Sequence, residues 1–227
     1  MLALKQALSI VSTKSLGGGG WNPSDEGSLV AWYQNKVGIV LNGSRVSEWQ
    51  DSGLNEIDML QATTSEQPTY NSSNGVLTFD ESSVQNLQSQ SQISLGGTFT
   101  IAFRINITTY NSTILGDNTT SNEYIKITSI SNLRIKIDGV QTNIAYPSEF
   151  GDNYVVITRD GSNVINMFVD GVLQDDQPTL TGTSDIDSIG VRATDINSFD
   201  GDLLEVQIYD ATNSTLTDNI NGRLSNL

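Results

Sequence analysis

The feature that most constrains this chain is a two-residue alternation of apolar and polar side chains, broken at short intervals by Asp-Gly and Asn-Gly pairs. Ile101, Phe103, Ile105 and Ile107 alternate with Ala102, Arg104 and Asn106. Ile125 and Ile127 flank Lys126, and Leu133, Ile135 and Ile137 enclose Arg134 and Lys136. Ile165, Met167 and Val169 alternate with Asn166 and Phe168, as Leu204, Val206 and Ile208 do with Glu205 and Gln207. Successive side chains of a strand point to opposite faces, so each run has one apolar and one solvated face, as a half-buried antiparallel strand requires. The pairs at 42–43, 74–75, 138–139, 160–161, 170–171 and 200–201 readily take the positive φ angles of tight turns. About a dozen short strands joined in this way predict an all-β, two-sheet antiparallel sandwich. Only Thr217 to Leu227 reads as a helix, with Thr215 or Thr217 as its N-cap.

Composition narrows the chemistry. The chain of 227 residues contains no Cys and no His. That removes disulfides, Ser-His-Asp and Cys-His catalysis, and zinc sites of the usual kind. A metal would have to be a hard cation on oxygen ligands, Ca²⁺ above all. The net charge is −15, unevenly placed. Residues 1–20 hold Lys5 and Lys14 and no acid, whereas residues 21–227 hold 9 basic and 26 acidic groups. With no evident cationic track in an acidic body, nucleic acid is not an expected partner. No apolar stretch is long enough to span a bilayer. The start is broken by Lys5, Gln6, Ser9 and Ser12 and lacks a small-x-small cleavage site, so it does not read as a secretory signal.

Two regions follow from this reading: an arm and glycine hinge at 1–20, and a sandwich domain at 21–227. In the arm, Leu4, Leu8 and Val11 stand at helical spacing and Leu8 and Ile10 at strand spacing, so its local structure stays open. Gly17 to Gly20 have no side chains to order them and read as a flexible hinge.

The strings SLVAWYQNK…NGSRVSEWQDSGLNEIDMLQATTSEQPTY, FTIAFRINI, YVVITRDGSNVINMFVDGVLQ and FDGDLLEVQIYDATNSTLTDNINGRL stand in that order from Gly27 to Leu227. Together they resemble the laminin-G-like, concanavalin A-like jelly roll, with its opening strands, central strand, Asp-Gly hairpin and closing strand plus helix. The leader LALKQALSIVSTKS before a glycine linker resembles those of phage virion proteins, whose sandwich sits on a capsid or fibre. The resemblance implies a lectin-like domain and an attachment arm.

Candidate sites are weighed against ordinary structure. Glu56 and Asp58 resemble the acidic signature of jelly-roll glucanases, but Met59, Leu60 and Gln61 follow where a third acid belongs. A surface loop is the favoured reading, and the chain is not expected to be an enzyme. Asp117, Asp195, Asp200 and Asp202 are candidate Ca²⁺ ligands, with Asp185 and Asp187 upstream, although Asp and Asn are also the commonest turn formers. Trp32 and Trp49 are assigned to the core. Tyr110, Tyr146 and Phe150 are candidates for stacking on sugar. Six Asn-x-Ser/Thr sequons, for example at Asn42 and Asn118, are what so much Asn, Ser and Thr produces by composition. Leu4, Leu8, Ile10, Val11 and Trp21 are candidates for docking on a partner. The expected function is a non-enzymatic virion surface protein, a capsid decoration or fibre component, anchored by its arm to virion proteins. Its outward domain would bind glycan or simply decorate, and trimers would suit a symmetric partner. A free or cell-surface carbohydrate-binding module is the alternative, and a glycoside hydrolase the third.

Overall fold

A computed structural model describes residues 20–147, 151–193 and 197–227. Seventeen strand segments and one α-helix follow one another along it. The first six are β1 (Leu29–Tyr33), β2 (Ile39–Asn42), β3 (Arg45–Trp49), β4 (Met59–Leu60), β5 (Thr69–Asn71) and β6 (Val76–Phe79). Next come β7 (Leu87–Leu95), β8 (Phe99–Ile107), β9 (Ser112–Gly116), β10 (Tyr124–Ser129), β11 (Asn132–Ile137) and β12 (Val140–Ala145). The chain closes with β13 (Asp152–Arg159), β14 (Ile165–Val169), β15 (Val172–Leu173), β16 (Ser184–Ile189), β17 (Gly201–Tyr209) and α1 (Ser214–Leu224).

The ladders are antiparallel and divide into two layers. In one, β17 pairs with β8, β8 with β13, β13 with β14 and β14 with β15, while β1 and β6 share the other edge of β17. The other runs β2, β3, β4, β7, β16, β9, β10, β11, β12. The short β5 bridges β3 to β6 and so joins the layers. Between them lies a core drawn from both inner faces, with Ile101, Phe103, Ile105, Val155, Ile157 and Val206 opposite Ile125, Ile127, Leu133, Ile135, Ile186 and Trp49. This is the two-sheet antiparallel sandwich with one C-terminal helix that the alternation predicts, in the jelly-roll-like form that the resemblance implies. Both turns at 138–139 and 170–171 have two consecutive positive-φ residues, Asp138-Gly139 and Asp170-Gly171, the signature of two-residue hairpins matched to strand twist. At 160–161 the left-handed residue is Asn163 rather than Gly161. Asp160 instead closes that loop by accepting the Ser162 and Val164 amides.

Two expectations need correction. The helix begins at Ser214, not Thr217, and its cap is Asn213, whose side chain accepts from the Leu216 amide at 2.9 Å. The earlier start brings Leu216, Ile220 and Leu224, spaced by four, onto Ala102, Val156 and Tyr209 of the first sheet. In β17 the register shifts between Leu203 and Glu205. Leu203, not Leu204, therefore joins the core, while Glu205 and Gln207 face outward as the alternation predicts.

Outward here does not mean solvated, because α1 covers that face. Glu205 is 0% exposed and accepts from Trp32 Nε1 at 3.0 Å, Gln207 Nε2 at 2.7 Å and the Asn35 amide at 3.2 Å. Arg223 of α1 completes the set, donating from Nη2 to Oε2 at 2.9 Å and lying over the Trp32 ring. Trp32 and Trp49 are both buried, as assigned from sequence. The buried carboxylate is tolerable only because it is paired and hydrogen-bonded. Arg223→Ala should therefore cost roughly 3–5 kcal/mol in urea unfolding, by stranding a buried charge. Glu205→Gln combined with Arg223→Met should recover most of that loss. A single-variant cost below about 1 kcal/mol, the value of an exposed pair, would contradict this account.

Candidate functional site

α1 packs over part of the outer face of the first sheet and leaves clefts on either side of it, one lined by Trp21, Asp218 and Arg223 and one by Thr158, Asn166 and Phe168, while the outer face of the second sheet gathers the cations. The register of β9, β10 and β11 sets out two outward rows. Thr113 stands beside Lys126, Lys126 beside Arg134, and Arg134 beside Asn143. One step along the strands, Gly116 stands beside Tyr124, Tyr124 beside Lys136, and Lys136 beside Gln141. Cross-strand partners share a face, and because Ile125, Ile127, Leu133 and Ile135 fill the core, these residues must face out.

The segment after β16 folds back over this face. A Cβ at Gly116 would stand 2.7 Å from Val191 O and 2.9 Å from Arg192 Cβ, so only glycine permits the close approach. Arg192 is thereby laid over the Tyr124 ring, its guanidinium carbon 4.5 Å from the centroid. Lys136 Nζ lies 5.7 Å from the same centroid and donates to Ser121 O. Lys126 Nζ donates to Asn111 Oδ1 at 2.6 Å and Asn197 Oδ1 at 3.0 Å, and Arg192 Nη2 donates to the same Asn197 oxygen at 3.2 Å.

Four of the nine basic residues of 21–227, Lys126, Arg134, Lys136 and Arg192, are thus gathered on one face of an acidic molecule. The ion pairs among the described residues, Arg104 with Asp152 and Arg223 with Glu205, lie elsewhere. Lys126 is only 4% exposed. Burial, then the neighbouring charges of Arg192 and Arg134, lower its ammonium to about 8. Two buried polar atoms in the patch, Thr113 Oγ1 and Arg192 Nε, make no hydrogen bond within the described residues. A face so arranged offers positive charge to an anionic or hydroxyl-rich ligand.

The sequence candidates fall around this site unevenly. Tyr110 is 58% exposed, next to Asn111, whose side chain holds Lys126. Tyr146 is 3% exposed and its hydroxyl donates to Asn153. It is core and cannot present its ring to a sugar, which corrects the earlier expectation. Asp117, Asp200 and Asp202 do not converge on one point. Asp117 accepts from the Thr119 amide and hydroxyl, Asp200 from Thr108, and Asp202 from Thr78 and Asn106. No group of three or more acidic side chains among the described residues is disposed to hold a metal ion, so these three act as turn and strand caps. Burial, with Asp117 and Asp185 nearby, raises the carboxyls of Glu123 and Asp187 above their usual range. Glu56 and Asp58 lie in the loop before β4, and Asp58 accepts from the Asp51 amide. Trp21 packs beside α1 and donates to Glu26. Leu4, Leu8, Ile10, Val11, Phe150 and Asp195 lie outside the described residues.

Sequence reasoning missed Lys126, Arg134, Lys136, Arg192 and Thr113. The available signal was Lys126, Arg134 and Lys136 at polar positions between apolar neighbours on two adjacent alternating strands, in a body with few cations. Because Lys126 is held charged below its natural affinity for protons, Lys126→Met should stabilise the fold at pH 7, by about 1–2 kcal/mol after the loss of two hydrogen bonds. The folded protein binds fewer protons than the unfolded chain between about pH 8 and the ordinary lysine value. The penalty is therefore complete below about pH 8, and the gap between variant and parent should shrink as pH rises from there. Denaturant midpoints of both proteins across that range test this, and a gap independent of pH would refute it.

Residues 62–217 match the family model Laminin_G_3, described as the concanavalin A-like lectin/glucanases superfamily. No curated protein matches the chain in sequence. Among solved structures, the ligand-binding domain of botulinum neurotoxin serotype D, in complex with N-acetylneuraminic acid, superposes with a TM-score of 0.61 at 13% identity, over 88% of this chain and 51% of that one. The binding domain of Paraclostridial Mosquitocidal Protein 1 gives 0.58 at 15% identity, over 90% and 53%. Trypanosoma rangeli sialidase gives 0.56 at 14%, over 96% and 35%. The chain thus spans about half the length, or less, of these structures, and at such identities the likeness is one of fold.

Proposed function

The chain belongs to the Laminin_G_3 family of concanavalin A-like lectins and glucanases, and from that footing we propose that it is a non-enzymatic carbohydrate-binding protein whose sugar site is the outer face of β9, β10 and β11. The observation that carries the reading is the gathering of four cations, Lys126, Arg134, Lys136 and Arg192, on one face of an acidic body. Tyr110, exposed at the rim, adds a flat apolar surface of the kind a sugar face stacks on.

Hydrolysis is disfavoured by the placement of acids. Cleavage of a glycosidic bond uses two carboxyl groups flanking the bond. The two acids of the candidate signature, Glu56 and Asp58, line a shallow cleft with Leu60, Ser89, Gln90 and Ser91, and none of the four cations lines it. Likewise, the positive charge at the site is supplied by lysine and arginine. Sugar binding is therefore expected to be indifferent to Ca²⁺, contrary to the expectation from sequence. A glycan array read with and without chelator tests both points. We expect retained glycan, equal signals in the two conditions and no released sugar. An array with no glycan retained would sink the reading, and a signal abolished by chelator would move the site to the acidic loops.

The arm belongs to the same reading as an attachment segment that holds the lectin-like domain on a virion surface. Its support is electrostatic: residues 1–20 carry two cations and no acid beside a body of −17, so the arm can lie on a partner while the body faces away. Deleting residues 1–20 should leave a soluble domain with unchanged sugar binding but abolish incorporation into particles. Normal incorporation of the truncated chain would refute an anchoring role.

A further inference from the structure

We infer that the cleft beside the first turn of α1 is a second binding site, separate from the cationic face, and that it takes a single neutral sugar residue. The cleft has a volume of about 360 Å³, at the small end of the roughly 300–1,000 Å³ common for ligand sites. Its floor is the outer face of β13 and β14. Val155, Ile157, Ile165 and Met167 fill the core, so Thr158, Asn166 and Phe168 point the other way, with Thr158 opposite Asn166 in the ladder. The turn into α1, with Asn213 at the cap, supplies one wall, and Asp218 and Asp160 stand at its borders.

Part of the polar chemistry around the cleft is already spent on the fold. The Asn213 side chain accepts from the Leu216 amide. Asp160 Oδ1 accepts from the Ser162 and Val164 amides. What stays available lies on the floor. Neither the Asn166 amide group nor the Thr158 hydroxyl is bonded to any described residue. Thr158 is 3% exposed, yet its hydroxyl is not sealed from solvent as that of Thr113 is, and it opens on the cleft. Thr100, its neighbour across the ladder, differs: that hydroxyl donates to Ala211 O and is satisfied. A largely buried hydroxyl without a protein partner is costly unless water or a ligand answers it. Beside these two groups, Phe168 is half-buried, packed in part against the cluster under α1 and in part open on the cleft.

These groups select an uncharged ring rich in hydroxyls. No lysine or arginine lines the cleft, whereas Asp160 and Asp218 do, so a carboxylate or phosphate would meet only negative charge. A metal ion would want six to eight oxygen ligands, and no three acidic side chains among the described residues are disposed to hold one. A purely apolar ligand would leave Asn166 and Thr158 unanswered. A pyranose answers every group. Its hydroxyls donate to Asp218 and to the Asp160 oxygen not used within its own loop, and both donate to and accept from Asn166 and Thr158. Its face of C–H groups packs on the Phe168 ring. The site goes beyond the cationic face and does not depend on it, and two sugar sites on one chain would raise avidity for a repeated glycan.

The test is titration of the isotope-labelled full-length chain with the methyl glycosides of glucose, galactose and mannose and with the uronates of the same three sugars, followed by amide chemical shifts. At least one neutral glycoside should saturably move the amides of Asn166, Phe168 and Ser214. Its uronate should bind at least about threefold more weakly, through repulsion by the two acids. Phe168→Leu keeps apolar packing against α1 without the flat ring and should weaken binding by about three- to tenfold, the worth of one ring contact. Phe168→Tyr should retain it. Thr158→Val removes an unpartnered hydroxyl with little change of shape. It should unfold in urea no earlier than the parent, yet bind about threefold or more weakly. Shifts confined to β9, β10 and β11 would overturn the cleft as a site and leave the sugar reading of the cationic face standing. Uronates bound as tightly as their neutral counterparts would overturn the neutral class. Binding undiminished in both Phe168→Leu and Thr158→Val would place the site elsewhere. No shift with any of the six sugars would also overturn the inference, while the glycan array decides the cationic face independently.

Discussion

Closure of one outer face by the C-terminal helix is the constraint on which the rest of the molecule depends. A two-layer sandwich has two outer faces, and either could carry recognition. Here Leu216, Ile220 and Leu224 press α1 onto Ala102, Val156 and Tyr209. The buried pair of Glu205 and Arg223, roofing Trp32, fixes the helix in position. Arg104 adds a second tie, bridging Asp152 and the Leu224 carbonyl near the end of the helix, where carbonyls lack intrahelical partners. The middle of the first sheet is consequently covered on both sides, and what remains open there are the clefts flanking the helix.

That opposite sheet is built against the grain of the molecule's charge. Cations are scarce in this chain, yet Lys126, Arg134, Lys136 and Arg192 are brought to one face, and the first is buried at an energetic cost. Compare Arg159, which is also buried but donates to the carbonyls of Leu95, Gly97 and Gly182 and lies over Phe99. Arg159 is satisfied and structural. Arg192 instead shares the Asn197 side-chain oxygen with Lys126 and lies over the Tyr124 ring.

The acidic groups follow simpler rules. Asp80, Asp117 and Asp160 each accept the amide of the residue two positions on, the local turn geometry that makes Asp common in loops. Their abundance in this sequence measures the number of turns more than any capacity for metal. Asp117 illustrates the difference between proximity in chemistry and in space, since the strands carry it toward Asp187 and away from Asp200 and Asp202.

By itself, the sequence determined the class of fold, because the two-residue period forces apolar side chains to one side of each strand and the Asp-Gly pairs force the reversals. It also determined that Trp32 and Trp49 are internal, since large apolar rings are costly to leave in water. It put Glu205 and Gln207 on the outer face but not under a cover. An alternating pattern reports that two faces differ, not what covers the polar one, and a helix from distant sequence decided that. Nor could it assemble the site. Lys126 and Arg134 are legible as outward residues of adjacent strands. Their meeting with Thr113 depends on cross-strand register, and their meeting with Arg192 on a loop that crosses the sheet where Gly116 leaves room. Register and loop crossing are set by the packing of the whole sandwich, and so only the tertiary structure decided them.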